Sequence, residues 1–219
     1  MVKIKSKNKA MDFIRSIYKI SVQELNTELA KILDLEKQFL IEDAELKKQI
    51  EEIKSHFIEE HPDYPDLLKY HTNNIIPTLR ELEPLFEKQT FVINDVLIKA
   101  KTAYEKLTVA SPTEVLKSVN KFRRSVNKLC DRVKDQVLPL IRDMKKQILY
   151  FNDVSASIKT EIKEKKSSLV GDILSQLKTA WEKVKAFISG MLADVLSNVK
   201  DLLDISKEFD EIMEDESNG

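Results

Sequence analysis

Residues 18–57, YKISVQELNTELAKILDLEKQFLIEDAELKKQIEEIKSHF, determine the fold of this chain. From Tyr18 to Phe57, positions alternately four and three residues apart form a seam in which ten of twelve residues are apolar. This spacing is typical of a long helix that packs on neighbouring helices. We predict one helix of roughly 50 residues, about 75 Å long, that ends before Pro62 and Pro65. The seam comprises Tyr18, Val22, Leu25, Leu29, Ile32, Glu36, Phe39, Asp43, Leu46, Ile50, Ile53 and Phe57.

A second segment with the same spacing runs from about Pro65 to Leu107. Pro77 and Pro84 both lie inside this segment and outside its seam. An interior proline removes a helical hydrogen bond and bends the helix. We therefore predict a bent helix here, with a break near residues 73–74 as the alternative.

The third helix has the clearest start in the chain. Ser111 is a capping residue, Pro112 occupies the first helical position, and Glu114 follows the cap by three residues, as in a capping box. The seam of this helix comprises Val115, Val119, Phe122, Val126, Leu129, Val133, Val137, Leu140, Met144, Ile148, Phe151, Ser155, Ile158 and Ile162. Pro139 lies in its middle and predicts a kink.

A fourth segment opens near residues 167–168, and its seam extends to Ile212. Four long helices joined by short connections predict an all-α fold: an elongated antiparallel bundle of four long, partly proline-kinked, coiled-coil-like helices. We assign residues 1–10 to a basic lead-in, residues 11–213 to a single bundle domain and residues 214–219 to an acidic tail.

Composition supports a helical protein and excludes several other classes. The 219 residues include 3 Gly, 6 Pro and 1 Cys, and the net charge is −1. So few glycines disfavour all-β and doubly wound folds, and one cysteine excludes an internal disulfide framework. No apolar run reaches the roughly 18 residues that a membrane span requires. We expect a cytoplasmic protein, either free or peripherally attached to a membrane.

The residue patterns that carry enzyme chemistry are missing from the sequence. The glycines are too scattered for a phosphate loop, and neither the di-iron Glu-x-x-His motif nor the zinc motif H-E-x-x-H occurs. We therefore expect a non-enzymatic protein with no cofactor and no metal.

A few isolated side chains allow a chemical role beside a structural one. His56, His61 and His71 form a loose metal site in one hypothesis, and capping or solvent-facing histidines in the favoured one. Basic neighbours would promote the Cys130 thiolate, but a small packing residue fits better because neither a neighbouring histidine nor an orienting acid is visible. Trp181 is interpreted as core filling.

Charge is distributed unevenly along the chain. Residues 117–146 contain ten basic residues against three acidic ones, whereas residues 42–60 and the tail from Asp201 are acidic. At about 100° per residue, seven of the basic side chains fall within roughly 80° of one helix face. This basic stripe comprises Lys117, Lys121, Arg124, Lys128, Arg132, Arg142 and Lys146. A secondary basic patch comprises Lys3, Lys5, Lys7 and Lys9.

Two interpretations of the basic stripe remain open. In the first, basic and acidic helix faces lie side by side, within the bundle or across a dimer, and complement each other. In the second, the stripe faces an anionic surface such as lipid headgroups. Nucleic acid fits less well, because the stripe lacks interleaved aromatic residues and the chain is nearly neutral.

The layout resembles that of BAR-type membrane-shaping domains. The resemblance is carried by the proline-interrupted helices, the basic stripe and residues 137–166, VLPLIRDMKKQILYFNDVSASIKTEIKEKK, and it covers about residues 75–212. It implies an antiparallel homodimer and contact between basic helix faces and anionic lipid.

Two further function classes stay open. One is a soluble scaffold or effector that binds helical protein partners through helix-to-helix contacts. The other is an α-helical pore-forming toxin, for which the best insertion candidate, residues 186–196, is short and contains Asp194. We expect a homodimer because apolar residues remain beside the seams. These are Leu33, Leu40, Ile98, Leu116, Ile141, Leu174, Leu192 and Leu203.

Overall fold

The computed structural model describes residues 2–60, 64–164 and 170–215, and the side chains of 9–55, 64–164 and 170–214. These ranges contain no strand and form four helical runs, so the predicted all-α bundle is confirmed. The expected fourth start at residues 167–168 lies outside the described residues. The elements are α1 (Val2–Glu60), α2 (Pro65–Tyr70), π1 (His71–Ile75), α3 (Ile76–Val109), α4 (Pro112–Arg132), π2 (Val133–Val137), α5 (Leu138–Lys163) and α6 (Val170–Asp215).

Two of the three interior prolines follow a π-helical turn. The π1 turn ends two residues before Pro77, and π2 ends two residues before Pro139. Since proline has no backbone N–H to donate and crowds the preceding turn, a locally wider turn accommodates its ring. Pro84 lies inside α3. Residues 73–74 belong to π1 and the chain stays helical from Pro65 to Val109, so the alternative of a break there is wrong.

The predicted seams locate the core of α3 and α6 well. All ten seam positions of the second helical run, one in π1 and nine on α3, are buried, and all those of α6 except Val170 are buried as well. Local periodicity alone is sufficient here because each run has one continuous apolar face. The positions of the second run are Ile75, Leu79, Leu82, Phe86, Gln89, Ile93, Val96, Ala100, Ala103 and Leu107.

The predicted seam of α1 is wrong at two of its inner positions. Leu29 and Glu36 were expected inside, yet both are half-buried, and Glu28 and Leu35 are buried in their place. A helix of 3.6 residues per turn drifts relative to a strict seven-residue repeat. The burial of Glu28 is compensated by Lys31, whose Nζ lies 2.9 Å from the Glu28 carboxylate.

Other seam positions also shift or fall short. Leu140 is half-buried and Ile141 is buried instead, because π2 places an extra residue in the turn that precedes them. Ile141 is therefore a core residue and unavailable for a dimer contact. Tyr18, Val22 and Ile162, near the ends of their seams, are half-buried, and Val170 is exposed.

The chain divides into two compact units, each built from parts of all four helical runs. Unit 1 comprises residues 1–38, 91–135 and 199–219, and unit 2 comprises residues 39–90 and 136–198. In unit 1, paired positions rise together along α1 and α4, which are therefore parallel, and run oppositely along α4 and α6. The pairs are Arg123–Glu24 and Lys134–Asp34 for α1 and the run of α4 and π2, and Lys121–Glu211 and Arg132–Asp201 for α4 and α6.

An aromatic pair lies in the core of each unit. In unit 1, the Phe122 and Phe209 rings meet edge to face with centroids 6.0 Å apart. In unit 2, Trp181 meets Phe151 in the same way at 5.1 Å. Trp181 is fully buried, which confirms its interpretation as core filling.

Candidate anionic-surface face of α4 and α5

The capping box at the start of α4 sets the beginning of the helix that carries most of the basic stripe. The Ser111 backbone N–H donates to the Glu114 carboxylate at 2.8 Å, and both halves of the predicted capping box are present. The hydrogen bonds from the Ser111 side chain and backbone lower the pKa of Glu114. Five stripe residues follow on α4 in unit 1, and Arg142 and Lys146 lie on α5 in unit 2.

Three of the five α4 stripe residues pair with carboxylates on α6. Lys121 Nζ lies 3.3 Å from Glu211, and Arg132 lies 2.8 Å from Asp201. Lys128 donates to Glu208. The three carboxylates belong to the acidic stretch that begins at Asp201, so this part of the stripe faces a helix of the same chain.

Glu208 holds α4 through a second hydrogen bond that sequence reasoning missed. The Ser125 hydroxyl donates to the other Glu208 oxygen at 2.8 Å, and Ser125 is buried. Its position just before the seam residue Val126 was the available signal, because a serine beside an apolar seam needs a polar partner once it is covered.

The opposite flank of α4 is held by α1, which sequence reasoning also missed. Arg123 lies 3.6 Å from Glu24, and Lys134, in the π2 turn that directly follows α4, lies 3.5 Å from Asp34. Neither basic residue belongs to the predicted stripe. Basic residues of the 117–146 stretch therefore form ion pairs on both flanks of α4.

On α5, the stripe residue Arg142 binds the acidic part of α1. Its Nε donates to Glu42 at 2.8 Å, and Lys145 donates to Glu42 and Glu45. Burial by itself would raise the pKa of Glu42, but the hydrogen bonds from Lys145 and Arg142 outweigh burial and lower that pKa. The hydrogen bonds of Lys145 to Glu42 and Glu45 raise the pKa of Lys145. Lys146 pairs with Asp143 on its own helix at 2.7 Å.

Two stripe residues differ from the others. Lys117 and Arg124 are exposed, and neither forms an ion pair with any other described residue, whether on its own helix or on another. Of the secondary basic patch, Lys9 is exposed on α1, whereas the side chains of Lys3, Lys5 and Lys7 lie outside the described residues. The cationic surface of the α4 stripe is thus smaller than its residue count indicates.

The cysteine and the histidines are the side chains for which the sequence allowed a chemical role. Cys130 is buried, which confirms its interpretation as a small packing residue, and burial raises the pKa of its thiol, which opposes the alternative of a promoted thiolate. His71 is buried and its Nε2 lies 2.9 Å from the Ile53 carbonyl oxygen on α1, so its interpretation as a solvent-facing residue is wrong. The His56 and His61 side chains lie outside the described residues. Across the described side chains, no three His, Cys, Asp or Glu residues come together as a metal site.

None of the described helices has the length and apolar content needed to cross a membrane. Comparison with protein-family models, with curated proteins and with solved structures returned no match for this chain.

Proposed function

We propose that this chain is a non-catalytic helical scaffold that associates with a second copy of itself through the outer face of α3 in unit 1. The supporting observation is a pair of large apolar side chains on that face. Phe91 is 72% exposed and Ile98 is 62% exposed. Seven residues apart, they lie on the same side of the helix. Exposed apolar side chains grouped on one face mark an interaction surface.

The neighbouring helix extends this surface. Leu203 on α6 is exposed and lies one turn before Ser206, whose hydroxyl donates to Asp95 on α3 at 3.2 Å. Phe91 lies one turn before Asp95. Leu203 and Phe91 therefore flank the same contact between the two helices, and a second copy that covers both would remove apolar area from water.

Sedimentation equilibrium of the full chain tests this proposal. We expect a dimer for the wild type and a monomer for the double variant Phe91→Asp/Ile98→Asp, because two carboxylates would be buried in the contact. Leu33→Asp/Leu40→Asp is the matched control, with two exposed leucines also seven residues apart. Both were predicted among the residues left for a partner, but they lie on α1, outside the proposed α3 face, so this variant should stay dimeric. A monomeric wild type, or dissociation caused by the control pair alone, would refute the proposed interface.

The second candidate function is binding of anionic lipid through the α4 stripe, as the resemblance to BAR-type domains implies. The exposure of Lys117 and Arg124 favours it, whereas the ion pairs of Lys121, Lys128 and Arg132 oppose it. Vesicle binding that is lost in Lys117→Glu/Arg124→Glu at unchanged helical content would support this second function.

A further inference from the structure

The first part of α1 is exposed in a way that the rest of the helix is not. No residue from Lys9 to Ile20 is buried, whereas from Ser21 onward a residue is buried every three or four positions. Phe13 is 65% exposed and Ile20 is 53% exposed. Among the described residues, other parts of unit 1 therefore leave most of this stretch of α1 uncovered, and only Ile17 and Tyr18 are half-buried.

The exposed stretch is strongly two-sided. At about 100° per residue, its apolar side chains occupy one continuous half of the helix circumference, and its polar side chains occupy about 120° of the other half. The apolar side chains are Ala10, Met11, Phe13, Ile14, Ile17, Tyr18 and Ile20, and the polar ones are Lys9, Asp12, Arg15, Ser16 and Lys19.

The charge of this region is positive. Residues 2–20 contain six basic residues and one acidic residue, Asp12, which lies 3.8 Å from Arg15. A second copy of the same segment would bring two positively charged helices together. An anionic surface instead complements the charge, and an amphipathic helix with basic residues on its polar face lies in the headgroup region of such a surface.

We propose that residues 9–20 of α1 form a membrane-surface anchor that inserts its apolar face among the headgroups of an anionic bilayer. The exposed Lys9 and Lys19 contact lipid phosphate and carboxylate groups, and Phe13 and Ile20 enter the apolar boundary. The lysine-rich residues before Lys9 add to the attraction through their charge. This anchor is separate from the α3 face assigned to self-association.

Vesicle co-sedimentation of the full chain tests the anchor. We expect the wild type to bind vesicles that contain phosphatidylserine, to bind pure phosphatidylcholine vesicles weakly, and to lose binding as salt rises. Phe13→Asp/Ile20→Asp should reduce the partition coefficient by at least about tenfold, since burying each large apolar side chain is favourable by about a tenfold factor or more. Lys9→Glu/Lys19→Glu should weaken binding to the phosphatidylserine vesicles selectively.

The control is Leu33→Asp/Leu40→Asp, on the same helix with the same spacing and with exposures of 47% and 49%. It should bind vesicles like the wild type, and all variants should keep their circular dichroism spectrum. No binding by the wild type, or equal loss in the control, overturns the anchor. One further result would overturn the anchor: the wild type does not bind vesicles, and Phe13→Asp/Ile20→Asp no longer forms dimers. The segment would then contact a second copy instead of a membrane. Dimerisation itself depends on Phe91 and Ile98, so the two proposals fail independently.

Discussion

At the scale of single residues, His71 is a buried base whose protonation opposes folding. Its Nε2 donates to the Ile53 carbonyl oxygen, and burial lowers its pKa below the ordinary value of 6.5, against the effect of that hydrogen bond. The unfolded chain therefore takes up a proton before the folded chain does. The contribution of neutral His71 to stability is complete above the ordinary histidine pKa, and it is lost as the pH falls below that value.

We expect the free energy of unfolding of the wild type to fall on acidification by up to about 1.4 kcal/mol per pH unit from this residue. In His71→Gln, an amide N–H can replace the imidazole donor without titrating, so the decrease should be shallower. Urea unfolding at several pH values between neutral and mildly acidic measures the difference. Parallel pH profiles for the two proteins would contradict this assignment.

Neighbouring residues on α1 differ in burial, and substitutions can distinguish core side chains from surface ones. Ile32 is fully buried, whereas its neighbour Leu33 is 47% exposed. Ile32→Ala should lower the free energy of unfolding by about 2–5 kcal/mol, because it leaves a cavity. Leu33→Ala should change it by less than about 0.5 kcal/mol. Similar denaturation midpoints for the two variants would show that the buried face of α1 is misplaced.

Leu129 on α4 provides the same test for the third helical run. It is fully buried, and Leu129→Ala should cost about 2–5 kcal/mol for the same reason. If the variant unfolds at the same denaturant concentration as the wild type, the assignment of Leu129 to the core is wrong.

At the scale of elements, α4 is oriented by ion pairs to α6, and a charge exchange isolates them. Lys128→Glu places a second carboxylate beside that of Glu208, and the double variant Lys128→Glu/Glu208→Lys restores opposite charges. We expect the single variant to be destabilised and the exchange to recover part of the loss. The coupling should be about 0.2–1 kcal/mol, because both groups are partly exposed.

The coupling is measured by a double-mutant cycle in urea at low and at high salt. Screening should reduce it at high salt. Full additivity of the two changes at low salt would mean that the pair does not orient α4. Lys117→Glu is the matched control, since this exposed lysine forms no ion pair with α6 among the described residues.

The start of α4 depends on its cap. Ser111 satisfies backbone donors of the first turn, and the Glu114 carboxylate accepts from the Ser111 N–H. Ser111→Ala should therefore lower stability by about 0.5–2 kcal/mol, whereas Ser111→Asp should retain most of it. Thermal melts of the three proteins provide the comparison, and equal loss in both variants would exclude side-chain capping.

At the scale of the whole molecule, we expect a far-UV circular dichroism spectrum with at least about 70% helix. The reason is that long apolar seams with few glycines favour helices throughout. The described ranges agree, with helix in all four runs and no strand. A spectrum with substantial sheet would contradict both the seam analysis and the fold.

Most of the core followed from the sequence because helical periodicity is local. The seam of the second helical run, from Ile75 to Leu107, was correct at every position, and the Ser111 cap was correct as well. Errors arose where local rules met a departure from ideal geometry. After the π2 turn, Ile141 is buried where Leu140 was predicted, and on α1 Glu28 is buried where Leu29 was predicted.

The sequence by itself determined four helical runs, their inward faces and the presence of excess positive charge on α4, because propensity, capping and periodicity act within a few residues along the chain. Only the tertiary structure decided which of those charges stay available. Lys128 and Glu208 are 80 residues apart in sequence, and no local pattern specifies that two helix flanks will meet. The same holds for the exposed start of α1, since an apolar helix face is core or surface according to what the rest of the chain places against it.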